Sequence, residues 1–132
     1  MKTIKVVAAV IHKDNKILIA QRLKGEFEGR WEFPGGKIEA NESPREALIR
    51  EIREELEVSI DIENYLMTAT YQYKDFRLEM ECYMCSIKEP ITILNDHKAI
   101  KWIPSNININ KINWVKADVQ VIRKALIEIK KN

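Results

Sequence analysis

Apolar and β-branched residues run almost unbroken from Ile4 to Ile11, the pattern of a strand buried on both faces. Asp14-Asn15 supports a tight turn, and Lys16 to Arg22 returns as a second strand. Residues 23 to 30 read as a polar loop carrying Gly25 and Gly29, followed by a glycine-permitted bend at Gly35-Gly36. Over 44 to 56 the period becomes helical. Ser43 is a good N-cap, Pro44 fits the first helical position, and Glu46 completes a Ser-x-x-Glu capping box. Leu48, Ile49, Ile52 and Leu56 form an apolar stripe. Glu51, Glu54 and Glu55, at i, i+3 and i+4, share another face.

The second half alternates differently. Ser59 to Tyr73 and Phe76 to Ile87 are β-rich, with Lys74-Asp75 as the hairpin turn between them. In the latter segment Leu78, Met80, Cys82 and Met84 take one face, and Glu79, Glu81, Tyr83 and Cys85 the other. A further strand follows Asp96, running from His97 to Trp102. The Asn-Ile alternation at 106 to 110 predicts a loop or short helix. Ala117 to Lys130 predicts a closing helix, with Val121, Ile122, Ala125, Leu126 and Ile129 on one stripe. The order of strand pair, loop, helix, strand pair, strand and helix supports an α/β fold, an α/β/α sandwich around a mixed β-sheet.

Length and charge narrow the classes. A chain of 132 residues fits a single domain, 1–132, large enough for a real core. A net charge of +2 is too small to imply a nucleic-acid polymer or a membrane surface as partner. No apolar run reaches the ~20 residues that span a bilayer, and no signal peptide opens the chain. The expected location is cytoplasmic, as a monomer or homodimer. Cys82-x-x-Cys85 looks like half a zinc site, yet three residues apart on a strand the two thiols face opposite ways. A metal or redox role is discounted.

The acidic helix face is poorly placed for stability. Glu51 repels Glu54 and Glu55, each such pair costing a few tenths of a kcal/mol. Glu54, Glu55 and Glu57 crowd the helix C-terminus, where the macrodipole disfavours negative charge. Arg50 and Arg53 offset part of this by pairing with Glu54 and Glu57 at i+4. A solvated charged face is the plain explanation. A bound divalent cation is the sharper one, since it turns repulsion into coordination, and hard oxygen ligands suit Mg²⁺ or Mn²⁺.

Gly36, five residues, Glu42, seven residues, then Arg50-Glu51-Ile52-x-Glu54-Glu55-x-x-Val58 resembles the Nudix box. One fixed position departs, because Glu57 stands where that family has glycine. The glycine would be the left-handed residue closing the helix, and glutamate there costs about 1 kcal/mol.

The resemblance implies roles residue by residue. Glu51, Glu54 and Glu55 hold metal, Mg²⁺ with Mn²⁺ as a substitute, helped by the backbone at Gly35 and Gly36. Glu42 and Arg50 pair structurally or support the metal ligands, and Lys37 lies near the phosphates. Arg22, locally as good a surface arginine as a ligand, matches a phosphate-binding arginine at a strand end. Asp96, locally a turn aspartate, joins the metal site or acts as base, with Glu51 the alternative base; His97 is only its neighbour. Asp118 caps the last helix, reads the base, or does both. Apart from the resemblance, Tyr83 and the soft side chains of its strand could by their own chemistry receive a flat base, although ordinary core packing explains each of them.

Trp31-Glu32-Phe33-Pro34-Gly35-Gly36-Lys37 resembles the MutT-like branch of the family. That implies a metal-dependent (deoxy)nucleoside triphosphate pyrophosphohydrolase, releasing a nucleoside monophosphate and pyrophosphate. CTP, dCTP or a modified nucleotide such as 8-oxo-dGTP is the expected substrate. Two other readings stand beside it. One is hydrolysis of another diphosphate, such as ADP-ribose or a dinucleoside polyphosphate. The other is a nucleotide-binding module without catalysis, against which three intact carboxylates argue.

Overall fold

The computed structural model describes residues 1–131. Strand β1 (Lys2–Lys13) turns back into β2 (Lys16–Arg22). Asp14 and Asn15 join them with φ of 52° and 62°, the left-handed pair whose twist matches a two-residue hairpin. The bend at 31–37 contains two short strands, β3 (Trp31–Glu32) and β4 (Gly35–Lys37). They pair antiparallel with β2 and β1 respectively, which gives backbone groups in this stretch partners.

Helix α1 (Pro44–Leu56) starts with both halves of the capping box. The Ser43 hydroxyl accepts from the Glu46 N–H at 3.1 Å, and the Glu46 carboxylate accepts from the Ser43 N–H at 2.9 Å. It ends at Glu57, which is left-handed at φ 53° and ψ 41°. The packed face of α1 differs from the expected stripe. Ile49 is half exposed, and Glu55 is buried alongside Leu48, Ile52 and Leu56. The helical repeat explains this, since Glu55 lies seven residues after Leu48 and three after Ile52.

Strands β5 (Ile60–Gln72) and β6 (Phe76–Ile87) form the expected hairpin, followed by β7 (His97–Pro104) and helix α2 (Val119–Lys130). β6 runs parallel to β1, from Phe76 opposite Lys2 to Cys85 opposite Ile11. β5 lies antiparallel to β6, and β7 antiparallel to β2. The result is one mixed seven-stranded sheet in the order β3-β2-β1-β6-β5, with β4 on β1 and β7 on β2.

Each face of the sheet has its own core. Val7, Ala9 and Ile11 of β1 pack with Ala47, Leu48, Ile52 and Leu56 under α1. Ala8 and Val10 pack with Val121, Ile122, Ala125 and Ile129 under α2. An unbroken apolar strand is therefore read correctly as buried on both sides. Cys82 and Cys85 fall in opposite cores, and burial pushes both thiols above their ordinary range. Among the described residues no helix is long and apolar enough to cross a membrane.

Candidate active site

The three glutamates of α1 occupy three environments. Glu54 is 54% exposed, Glu51 18% and Glu55 only 4%. One helix face thus runs from solvent into the protein, and the carboxylates line that descent. Arg50 neutralises the outer part. It takes both oxygens of Glu42, at 2.7 and 2.9 Å, and reaches Glu51 at 2.7 Å and Glu54 at 3.0 Å. A further bond goes to the Lys37 carbonyl at 3.0 Å, fixing the end of β4 against the helix. The guanidinium beside Glu42 holds that carboxyl down at about 2. Arg53 pairs not with Glu57 but with the Ser59 hydroxyl.

Glu51 fits against Gly36, where any Cβ would collide with its carboxylate. A Cβ on Gly35 would collide with the Val7 carbonyl across the β1 pairing. The two glycines let β4 lie between strand and helix without side chains in the way. Behind Glu51, Glu55 Oε2 is buried without a hydrogen-bond partner. Burial and then Glu51 beside it push the Glu55 carboxyl well above the ordinary range.

An acidic cleft of about 280 Å³ opens over this face, bordered by Arg22, Glu32, Gly35, Glu51, Glu55 and Asp96. Asp96 is exposed at its edge. Its loop is seated on the end of α1 by Asn95, whose N–H donates to the Glu55 carbonyl at 2.9 Å. The Asn95 amide adds bonds to the Glu54 carbonyl at 2.7 Å and to the Glu57 carboxylate at 3.0 Å. His97 is not merely a neighbour of Asp96. Its ring is buried, with Nε2 3.0 Å from Glu32 and Nδ1 3.8 Å from Glu55.

Beside the cleft lies a second cavity of about 230 Å³, walled by Phe27, Phe33, Tyr73, Leu78 and Met80, with Asp118 inside. Arg22, Glu32 and Gly35 border both. Asp118 precedes α2, but its side chain makes no capping bond. Its Oδ2 instead accepts from the Phe33 N–H at 2.8 Å. The chain is brought there by pairing between Trp31 and the 113–115 segment, with bonds of 2.9 and 2.8 Å. Burial, then the charge of Glu32, push the Asp118 carboxyl well up, against the opposing pull of the Phe33 N–H.

Two expected residues are placed elsewhere. Tyr83 lies in the core under α1, edge-on to Tyr65 and beneath the Arg45 guanidinium. The cavity is lined by Leu78 and Met80, the other face of the same strand, so alternation excludes Tyr83 from it. The Lys37 side chain is exposed and borders neither cavity. Two residues were not expected, Glu32 and His97. The available signal for Glu32 was a charge set between Trp31 and Phe33 in an otherwise apolar run; His97 offered none beyond its place at a strand start.

The donor set suits a hard divalent cation. Glu51, Glu54, Glu55 and Asp96 supply carboxylate oxygens, and the unpartnered Glu55 Oε2 is the kind of buried atom that a ligand satisfies. Among the described residues no group of three is already converged into a metal cage.

The NUDIX domain profile matches residues 1–125. The CTP pyrophosphohydrolase of Escherichia coli K12 is 37% identical over 103 residues, covering 77% of this chain and 76% of that protein. The 8-oxo-dGTP diphosphatase of Proteus vulgaris is 39% identical over 85 residues, covering 63% and 76%. The solution structure of the Staphylococcus aureus MutT protein, a Nudix hydrolase, superposes with a TM-score of 0.75 at 38% identity, covering 97% of this chain and 99% of that one.

Proposed function

Because the chain belongs to the Nudix family, whose members generally use a divalent metal, we propose that it is a Mg²⁺-dependent (deoxy)nucleoside triphosphate pyrophosphohydrolase. It cleaves the α–β anhydride and yields a nucleoside monophosphate and pyrophosphate. The observation that carries this reading is the pair of adjoining cavities, one apolar with a buried Asp118 and one acidic, joined through Arg22 and Glu32. A flat base fits the first and the phosphates reach the second.

Each residue then has a physical task. Glu51, Glu54 and Glu55 would hold the metal, with Asp96 completing the set from the loop seated on the end of α1. A divalent cation there supplies positive charge for the phosphate oxygens and for the attacking water. Arg22 orients the phosphates through its guanidinium. Glu42 holds Arg50, and Arg50 holds the outer carboxylates in place on the helix face. Phe33 and the apolar wall keep the base dry, so that the Asp118 hydrogen bond discriminates strongly. Positioning and electrostatics are most of what phosphoryl chemistry asks of a protein.

CTP or dCTP and 8-oxo-dGTP are the substrates put first, supported by the relatives named above. The deciding experiment is a nucleotide panel with Mg²⁺ and analysis of the phosphate products. Monophosphate and pyrophosphate from a triphosphate support the proposal. Turnover confined to ADP-ribose or dinucleoside polyphosphates replaces it, and no turnover with any diphosphate leaves a binding module.

A further inference from the structure

Arg22 borders both cavities, and its guanidinium is held by contacts from Glu32 and, through it, His97, which border the acidic cleft with it. β2 lies between β3 and β7. A bulge interrupts the β2–β7 ladder, so that Gln21 faces Ala99 while Arg22 faces His97, with Lys98 left over. Regular pairing would set Lys98 against Arg22, cation to cation. Bulges beside functional sites commonly re-aim a side chain in this way.

Glu32 ties the pair together. One carboxylate oxygen accepts from Arg22 Nη1 at 3.0 Å and the other from His97 Nε2 at 3.0 Å. Among the described residues only Nη1 of Arg22 has a hydrogen-bond partner. Its Nε is buried without a partner, which leaves Nη2 as the nitrogen free to donate to a phosphate oxygen at the border of the two cavities. The His97 side chain is 3% exposed, so the ring cannot swing away without opening the core.

We propose that Glu32 and His97 are positioning residues that hold the Arg22 guanidinium through Nη1, with Nη2 ready for the substrate's phosphates. The assignment rests on the phosphoanhydride reading above. His97 anchors Glu32, Glu32 anchors Arg22, and the ordering of a long flexible side chain is complete before the substrate arrives.

The test uses His97→Asn and His97→Gln in the full chain. The glutamine amide nitrogen reaches the place of Nε2 and still donates to Glu32; the asparagine amide stops near Nδ1. Arg22 order is read from its Nε–H signal and heteronuclear NOE in ligand-free protein, and kcat and KM are read at saturating Mg²⁺. His97→Asn is expected to lose the ordered Arg22 signal and to raise KM by about tenfold or more, well beyond its effect on kcat. His97→Gln is expected to restore both, with melting temperatures of the two variants close together. An unchanged Arg22 signal in His97→Asn, or identical behaviour of the two variants, overturns the proposal. Should the His97 variants fail to fold, Glu32→Ala, which removes both contacts, tests the same chain: a lost Arg22 signal supports the proposal and an unchanged one overturns it. A wild type that cleaves no phosphoanhydride removes the functional reading, while the Arg22 signal still decides the positioning.

Discussion

Arg50 meets Glu42 side-on, its Nε and Nη2 each donating to a different carboxylate oxygen at 2.7 and 2.9 Å. The same guanidinium reaches Glu51 and Glu54. Glu42 therefore steers the cation that balances the helix face, and its own carboxyl is depressed to about 2. A depressed carboxyl contributes stability above its unfolded value, and the contribution disappears as the pH falls through the folded value. Glu42→Gln is expected to lower the melting temperature at neutral pH, with the gap to wild type closing as the pH is taken down towards about 2. Melting curves across the acid limb check this; a gap independent of pH would show that the charge of Glu42 is not what matters.

Glu55 has the opposite sign. Its carboxyl is raised by burial and by Glu51, so the fold favours the protonated form. Stability is then full below the ordinary carboxylate range and declines as the pH rises towards the raised value. Metal-free protein should melt lower at mildly alkaline than at mildly acidic pH, and Glu55→Gln should flatten that slope. Added Mg²⁺ should raise the alkaline melting temperature of the wild type but not of the variant. Glu54→Gln and Glu55→Gln should each lose activity, on the order of 100-fold, the scale of removing one preorganised electrostatic group. Near wild-type kcat in both variants at saturating Mg²⁺ would dismiss the metal-holding role.

At Glu57 two effects compete. The left-handed backbone, φ 53° and ψ 41°, costs about 1 kcal/mol for a residue with a Cβ. The carboxylate gains one exposed bond from Asn95 at 3.0 Å, worth roughly 0.5–1 kcal/mol net. Glu57→Gly removes both and is expected to leave stability nearly unchanged or slightly improved. Glu57→Ala keeps the backbone cost and loses the bond, so it should melt lower than either. Thermal melts of the three proteins side by side check the ranking, and an alanine variant as stable as wild type would mean the Asn95 bond contributes nothing.

Asp118 accepts from the Phe33 N–H inside the apolar cavity, and burial raises its carboxyl well above the ordinary range. In the protonated form it both accepts and donates, as asparagine does at every pH. Asp118→Asn keeps an acceptor for the Phe33 N–H and removes a carboxyl that burial disfavours in its charged form, so the melting temperature is expected to hold or rise, more so as the pH increases. The ratio of kcat/KM between cytosine and purine triphosphates should move by tenfold or more, the consequence of about 1–3 kcal/mol in a dry pocket. The wild-type ratio should also drift as rising pH ionises Asp118, while the variant's ratio stays level. Equal and pH-independent ratios in both proteins would take Asp118 out of base recognition.

Local chemistry was enough for much of this chain. The capping box of α1, the Asp14-Asn15 hairpin turn and the left-handed residue at 57 all appear where short-range rules put them. Each depends on backbone geometry and neighbours within a few residues, which a sequence states outright. Periodicity carried the strands as well: β1 is buried on both faces, and Cys82 and Cys85 point apart. Of the three spaced glutamates, Glu51 and Glu55 border the acidic cleft and Glu54 stands outside its lining.

What lay beyond the sequence was decided by contacts between distant segments. Glu55 shares the helix face of Leu48 and Ile52 by its spacing, but only packing on the sheet shows that the buried face extends to Glu55 and leaves Ile49 outside. Tyr83 faces one core and Met80 the other; alternation separated them, but only the placement of α1 and α2 shows which face holds the cavity. Asp118 finds its partner 85 positions away in Phe33, which no helix-start rule predicts. His97 and Glu32 are 65 positions apart and meet through a one-residue bulge. A bulge depends on how two strands pair, and pairing is a property of the folded sheet rather than of either strand alone.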